Sequence, residues 1–314
     1  MTIGPILSRV WQILRVQVRL FLKLGAAPAT AALVLYGVFI GGAFARGVLS
    51  PHPGNIPAKL PPVMVAEIFA ASLVVGVLMF AIYGMYEAAV TITALEANRG
   101  GAAPFREALG AVWANAGRVM GILGLRLLCL LLPGLGAALL FGASVAIAAI
   151  RAHHGASGPG TLLLTVPLAV LAYVLWIAAS VWIMLRMAVA VPACLAEDLS
   201  PMDALRRSAN LTRNAKGRIF VVMLAIYGCA FASAVALELA VAILGVIAVV
   251  AGILLHVPAP VGLAMGMPAL MLVMAGFLLL SMMHWAAYGI ALAVIYDDQR
   301  FREQGLLRLS EEPA

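Results

Sequence analysis

The residues LAEDLSPMDALRRSANLTRNAKGRIF, numbers 195–220, contain the pattern that decides the fold. An apolar segment ends there at the acidic pair Glu197-Asp198, a basic segment follows, and a new apolar segment begins after Gly217-Arg218. The same design occurs one hundred positions earlier, in residues 95–118. The positions that match without a gap are Leu95 and Leu195, Arg106 and Arg206, Gly117 and Gly217, and Arg118 and Arg218.

A partial third copy follows, in which Ile295-Tyr296-Asp297-Asp298 precedes the residues QRFREQGLLRL. Acidic residues thus mark the end of an apolar segment three times, at Glu96, Glu197-Asp198 and Asp297-Asp298. We interpret this pattern as a tandem repeat of about 100 residues. An offset of two membrane segments preserves chain direction, so the repeats should be parallel and related by an axis along the membrane normal.

The composition identifies the class of protein. The chain of 314 residues is 64% hydrophobic and 11% charged, and its mean hydropathy is +1.08. Soluble domains are roughly 45–50% apolar and 25% charged. We therefore predict an all-α, polytopic membrane protein. The net charge of +7 comes from cations beside the apolar segments, where they set topology and meet anionic lipids, so no nucleic-acid partner is predicted.

A membrane domain is predicted over residues 25–298, followed by a charged cytoplasmic tail at 299–314. Its apolar runs reach the length of about 20 residues that crosses a bilayer. Pro167 and Pro192 predict kinks in the fourth span. The six predicted spans are 25–48, 62–97, 117–150, 161–197, 217–254 and 265–296.

The distribution of cations predicts the orientation. Fifteen of the 20 lysine and arginine residues precede, follow or connect spans on one side, and that side should be cytoplasmic. Only Arg46, Lys59 and Arg151 fall on the other side, and Arg126 and Arg186 lie within apolar segments. This distribution fits a protein of the bacterial inner membrane with six spans and with both termini in the cytoplasm.

Residues 1–24 are predicted to form a basic amphipathic helix in the membrane interface, on the cytoplasmic side. At 100° per residue, one arc collects the polar side chains of Ser8, Arg9, Gln12, Arg15, Arg19 and Lys23. A cleaved secretory leader is the alternative, because Ala43-Phe44-Ala45 resembles a cleavage site. The basic region and the following apolar run are both longer than such leaders have.

A second amphipathic helix is predicted over residues 201–214, starting with Ser200 as cap, Pro201 at the first helical position and Asp203 in the first turn. It is either an interfacial connector that anchors a hairpin or a surface for lipid phosphate, which clustered arginines suit. The candidate residues for lipid head groups are Arg206, Arg207, Arg213, Arg218 and Arg118.

The residues ACLAEDLSPMDALRRSANLTRNAKGRIF (193–220) resemble a segment of the bacterial membrane domain that is fused to some glycerophosphodiester phosphodiesterases and also occurs alone. The ending IYDDQRFREQGLLRL is similar to that family's ending at Tyr296, Asp297, Arg300 and Gly305, but Gln304 stands where the family has an acid. The resemblance implies a six-span fold. It does not imply catalysis, because the family's phosphodiesterase activity belongs to a separate soluble barrel.

No enzyme, cofactor or metal site is predicted. A phosphodiesterase barrel needs about 250 residues, and the common nucleotide, zinc-protease and CxxC patterns are missing from the sequence. Four of the five histidines fall in or beside external turns, and Cys129, Cys194 and Cys229 suit small buried side chains. Close helix approach is predicted at three glycine pairs, Gly37-x-x-x-Gly41, Gly117-x-x-x-Gly121 and Gly262-x-x-x-Gly266.

Ionisable residues inside the predicted spans are the remaining candidates for function. Glu87 and Arg186 occupy nearly equivalent repeat positions, and we predict that they approach each other, since an isolated charge in hydrocarbon costs at least about 2.5 kcal/mol. The other intramembrane polar candidates are Glu67, Glu238 and His284. They serve either for structural pairing and snorkelling or in a polar cavity between the repeats.

The sequence therefore predicts a non-enzymatic inner-membrane protein that interacts with membrane lipids, with anionic lipids as the candidates, or that organises the membrane. The alternative is a small-solute or lipid transporter with a polar path between the repeats, which should have discontinuous helices and a polar cavity near the midplane.

Overall fold

The computed structural model of the protein describes residues 2–45, 62–101, 104–154, 159–254 and 259–311. These residues form helices and short connections, with no strand among them. The predicted external loops at Arg46–Lys59, around Gly158 and at residues 255–258 lie outside the described residues. The helices are α1 (Ile3–Val16), α2 (Val18–Ala45), α3 (Pro62–Asn98), α4 (Phe105–Ala114), α5 (Ala116–His153), α6 (Pro159–Arg186), α7 (Ala190–Glu197), α8 (Pro201–Leu211), α9 (Lys216–Leu254) and α10 (Ala259–Glu311).

Six helical segments among the described residues are long and apolar enough to cross a membrane, as predicted. They are Val18–Phe39, Val63–Asn98, Ala116–Arg151, Thr165–Glu197, Lys216–Ile247 and Val273–Gly305. Large apolar side chains point outward along them, including Phe69, Leu139, Leu163 and Phe231. In a membrane such side chains face lipid, while the helical backbone satisfies its own hydrogen bonds. The protein is therefore an all-helical, multi-pass membrane protein.

The chain divides into two compact units. Unit 1 comprises Met1–Ala116 and Val221–Val294, and unit 2 comprises Gly117–Phe220 and Ile295–Ala314. Helices α9 and α10 each run without interruption from the residues of one unit into those of the other.

In unit 1, α3 contacts α2, α4 and α1. The Tyr86 hydroxyl of α3 donates a hydrogen bond to the Met282 carbonyl of α10 at 2.9 Å. Gly25 of α2 lies at the same point, where a Cβ atom would stand 3.0 Å from the Met282 Cβ. A second close approach is at Gly289, where a Cβ would lie 2.8 Å from the Val90 Cγ1. Small residues thus let these helices pack closely.

The helix predicted over residues 1–24 differs in the structure, because Gln17 forms a turn that separates α1 from α2. Ile6, Val10 and Ile13 are buried, on one side of α1. Arg9 donates to the Asn98 side chain at 3.1 Å and to the carbonyl oxygens of Ala97 and Asn98. A guanidinium suits this place, since the last carbonyls of a helix lack partners and carry partial negative charge. Arg9 therefore fastens α1 to the end of α3.

In unit 2, α7 and α8 pack against each other. Helix α8 begins as its sequence predicts, since the Ser200 Oγ accepts a bond from the Asp203 amide at 3.3 Å and Pro201 holds the first position. It ends at Leu211, three residues before the predicted end. Of the predicted close-approach glycines for which neighbours are described, Gly121 has one: a Cβ atom there would lie 2.8 Å from the Pro201 Cγ. Gly37, Gly41 and Gly117 have no such neighbour.

Candidate functional site

The five predicted head-group arginines all belong to unit 2. Four of them form ion pairs within that unit, and Arg213 is exposed. The structure therefore separates these arginines by their ion-pair partners and exposure, which the sequence pattern alone does not show.

Arg207 is held between two carboxylates, in a group that we name the Arg207 cluster: Arg207, Glu197, Tyr296 and Glu303. Its two terminal nitrogens donate to the two oxygens of Glu303 at 2.8 and 2.6 Å, and its Nε donates to Glu197 at 3.1 Å. Tyr296, a buried residue, donates its hydroxyl proton to Glu197 at 2.7 Å. Two parallel bonds from one guanidinium to one carboxylate give fixed geometry as well as attraction.

The hydrogen bonds that Arg207 donates to Glu303, and the charge of Glu197, raise the pKa of Arg207 above the ordinary arginine value. Its guanidinium is therefore charged at every accessible pH. The cluster connects α7, α8 and the end of α10, so its first role is to fix these three elements to one another.

Two further ion-pair groups have the same character. Arg218 lies 3.0 Å from the Asp298 Oδ2, and Arg302 donates to the same oxygen at 3.2 Å. Arg118 pairs with Asp198, which ends α7 in the left-handed conformation, φ 55°. The acidic residues that mark the ends of the apolar segments in the sequence thus bind the arginines that begin α5 and α9.

Arg206 has a different environment. Its side chain is 73% exposed, and its contact with Asp203 is 3.4 Å long. Arg206 lies beside a groove of about 530 Å³ that we name the basic groove. Its walls come from α5, α6 and α8 and are mostly apolar, formed by Leu125, Leu132, Pro133, Ile183 and Met202 among others.

Arg186 is the second cation of the basic groove. Its guanidinium carbon lies 5.3 Å from the centre of the Trp182 ring, and the Lys216 ammonium lies 5.1 Å from the same centre. Among the described residues, neither cation forms an ion pair with a carboxylate. Three cations thus lie at or beside a groove with apolar walls, and two of them, Arg186 and Lys216, make cation–π contacts with Trp182.

The fourth predicted span is interrupted at residues 187–189, between α6 and α7. Pro192 contributes, since it lacks the N–H that would bond the Ala188 carbonyl. Side chains form hydrogen bonds with the backbone groups of the break. Ser208 donates to the Arg186 carbonyl at 3.0 Å and accepts from the Val189 amide at 3.2 Å, and Arg126 donates to the Met187 carbonyl at 3.1 Å. Arg126 and Ser208 are buried.

The remaining predicted candidates belong to unit 1. Glu67 and Glu238 are exposed, and Glu87 is 4% exposed. Glu87 belongs to unit 1 and Arg186 to unit 2, so their predicted approach stays a prediction. His284, in unit 1, lies 3.0 Å from the Ser233 hydroxyl through Nε2 and 2.7 Å from the Leu280 carbonyl through Nδ1.

Sequence reasoning did not single out Glu303, Lys216 or Trp182. Tyr296 and Glu303 are seven residues apart on α10 and so share one face of the helix, a spacing that could have indicated a joint role. Within the described residues, no group of three or more histidine, cysteine or acidic side chains could hold a metal ion.

No protein-family model, curated protein or solved structure matches this chain.

Proposed function

We propose that this protein is a non-enzymatic, multi-pass protein of the bacterial inner membrane that binds anionic phospholipid in the basic groove. The observation that supports this proposal is that the exposed Arg206 and two cations without a carboxylate partner among the described residues, Arg186 and Lys216, lie at or beside one groove with apolar walls. A phospholipid has the same two parts, an anionic phosphate and an apolar chain.

The phosphate would meet Arg186 and Arg206. A guanidinium presents several N–H donors in one plane and binds phosphate oxygens in pairs. Lys216 would add a third positive charge without that geometry. An acyl chain would lie along Leu125, Leu132 and Ile183, where its burial gains about 0.8 kcal/mol for each CH₂ group.

This proposal narrows the predicted set of head-group residues. Arg118, Arg207 and Arg218 each pair with a carboxylate more closely than Arg206, which lies 3.4 Å from Asp203. These closer pairs offset the attraction that the three charges would exert on an anionic lipid. In this proposal they lock the helices of unit 2 together, and Arg206 and Arg186 bind the lipid. The sequence places Arg186 among the intramembrane polar candidates, and this proposal assigns it to the head-group residues instead.

The proposed site lies at the cytoplasmic side, with both termini in the cytoplasm. The cation distribution supports this orientation. The proposed repeat is supported by the positions of the helices, since α3 ends at Asn98 and α7 at Glu197, and the long helices α5 and α9 begin at Ala116 and Lys216. Short helices, α4 and α8, lie between them at corresponding places.

A transporter is the alternative, and the interrupted fourth span is the observation that favours it. Transporters bind substrates and ions at unwound backbone. Here, however, the backbone groups at the break are hydrogen-bonded to side chains of the protein itself. Two carbonyls accept from Ser208 and Arg126, and one amide donates to Ser208. A break whose groups are satisfied by the protein gives a solute little to bind, so lipid binding is the better supported function.

The test compares two double variants with equal loss of charge. Arg186→Gln with Arg206→Gln should weaken the binding of phosphatidylglycerol about 30-fold, since each cation near a membrane surface contributes about 1 kcal/mol. The control, Arg15→Gln with Arg213→Gln, removes two exposed cations outside the groove. Native mass spectrometry of delipidated protein titrated with phosphatidylglycerol gives the affinity. Equal losses in both variants would mean that only net charge matters and would refute the groove.

A further inference from the structure

A second cavity, of about 340 Å³, lies between α9 and α10 in unit 1, close to the middle of both spans. Five aromatic residues line it, namely Tyr227, Phe231, Phe277, Trp285 and Tyr288. Three of the rings lie in contact, with 5.7 Å between the centres of Trp285 and Tyr288 and 5.9 Å between those of Tyr227 and Tyr288. Surfaces of this kind hold flat rings by stacking.

The charge of the lining restricts the ligand. Among the described residues that line it there is no aspartate, glutamate, lysine or arginine, and His284 is the one histidine. An organic cation would lack a counter-charge there, and an anion would lack a cation. Because burying an uncompensated charge is costly, the cavity suits a neutral molecule.

The hydrogen-bonding groups restrict it further. The Leu280 carbonyl can only accept, so the Nδ1 of His284 donates to it, and Nε2 lies 3.0 Å from the Ser233 hydroxyl. His284 thus binds α9 to α10 and holds the wall in place. Ser281 and Trp285 add one O–H and one N–H donor to the lining, and neither makes a hydrogen bond to another described residue. Spare donors favour a ligand with a carbonyl acceptor.

The cavity is reached from the hydrocarbon side of these spans, because the lining side chains Phe231 and Tyr227 are 73% and 49% exposed. We propose that it binds a neutral, membrane-dissolved ring ketone of the quinone class, with a carbonyl oxygen accepting from Ser281. The ring of the ligand stacks on Trp285 and makes an edge-to-face contact with Tyr288, whose ring is at 77° to that of Trp285. Ligand cavities of such size are common, and they combine mostly apolar walls with a few polar groups that fix orientation.

The test uses tryptophan fluorescence, because a quinone quenches an indole that it touches. A variant that keeps Trp285 as its only tryptophan, with Trp11, Trp113, Trp176 and Trp182 replaced by phenylalanine, is titrated with decylubiquinone in nanodiscs. We expect saturable quenching. The matched control keeps Trp176, also in a span, and should show only the gradual quenching of quinone dissolved in lipid. Gradual quenching at both positions would overturn the proposal.

Two further measurements identify the occupant. Ser281→Ala in the Trp285 variant should raise the dissociation constant about fivefold to tenfold, as expected for one lost hydrogen bond, and an unchanged constant would overturn the carbonyl assignment. Oleate should not displace the quinone, and displacement at equal concentration would show a site for acyl chains instead. If the single-tryptophan variants do not fold, the wild type is labelled with an azidoquinone. Labels on residues 226–234 or 277–288 would support the site, and labels elsewhere would reject it.

Discussion

At the scale of single residues, Arg207 links α7, α8 and the end of α10 through two carboxylates. Its three nitrogens donate to two carboxylates, and Tyr296 completes the group. Removing the guanidinium would leave Glu303 without these bonds. The negative charges of Glu303 and Glu197 would then lose the cation that they share. The structure thus predicts a cost in stability at a position that the sequence offered only as a lipid contact.

We expect Arg207→Gln to lower the free energy of unfolding by about 2 kcal/mol, the loss typical of hydrogen bonds to charged groups, while lipid retention stays unchanged. Arg207→Lys should rescue little, because an ammonium cannot form the paired bonds. Thermal melting in detergent measures the change. Arg213→Gln, at an exposed position of the same segment, should melt like the wild type, and a similar loss in both would contradict a special role for Arg207.

At the scale of the helices, the features that depend on neighbouring residues were predictable and those that depend on distant ones were not. The start of α8 follows from Ser200, Pro201 and Asp203, which act within one turn. The interruption after Arg186 depends on Ser208 and Arg126, which are 22 and 61 residues from the carbonyls they bind. Pro192 indicated an irregularity, but no spacing in the sequence indicated which side chains stabilise it.

The contact of α3 with α10 gives a prediction at this scale. A methyl group at Gly289 would lie 2.8 Å from the Val90 Cγ1, so Gly289→Ala should destabilise the protein by about 1–3 kcal/mol, as overpacking does. Val90→Ala in the same chain should restore part of the loss. Gly276→Ala on the same helix meets no atom within 4 Å and should be neutral or slightly stabilising. Thermal melting of the three variants compares them, and equal behaviour of the two glycine positions would contradict the close contact.

At the scale of the whole molecule, hydropathy was sufficient to predict the number of spans, because a bilayer demands long apolar helices whatever their packing. The partners of the charged residues could not be predicted in this way. Glu303 is 96 residues from Arg207 in the sequence, and the sequence contains several other acids that could have taken its place. The basic groove likewise requires α5, α6 and α8 together.

Six spans with both termini inside give a topology that can be tested by labelling. In a variant without Cys129, Cys194 and Cys229, single cysteines are introduced at Thr2, Asn55, Gly158 and Ser310. An impermeant maleimide added to intact cells should label the probes at Asn55 and Gly158 from the periplasm, and those at Thr2 and Ser310 only after lysis. Labelling at Ser310 in intact cells would refute the orientation.

The ion pair between Arg207 and Glu303 also limits how early unit 2 can assemble during biosynthesis. At about 5–20 residues per second, the ribosome adds the 96 residues that separate them in about 5–20 s. During that interval Arg207 has already been made while its principal partner has not. Unit 2 therefore cannot complete its ion-pair cluster when its own transmembrane helices enter the bilayer. It must wait for the end of α10, and a ribosome that stalls before Glu303 would release a chain that is inserted in the membrane but incompletely assembled.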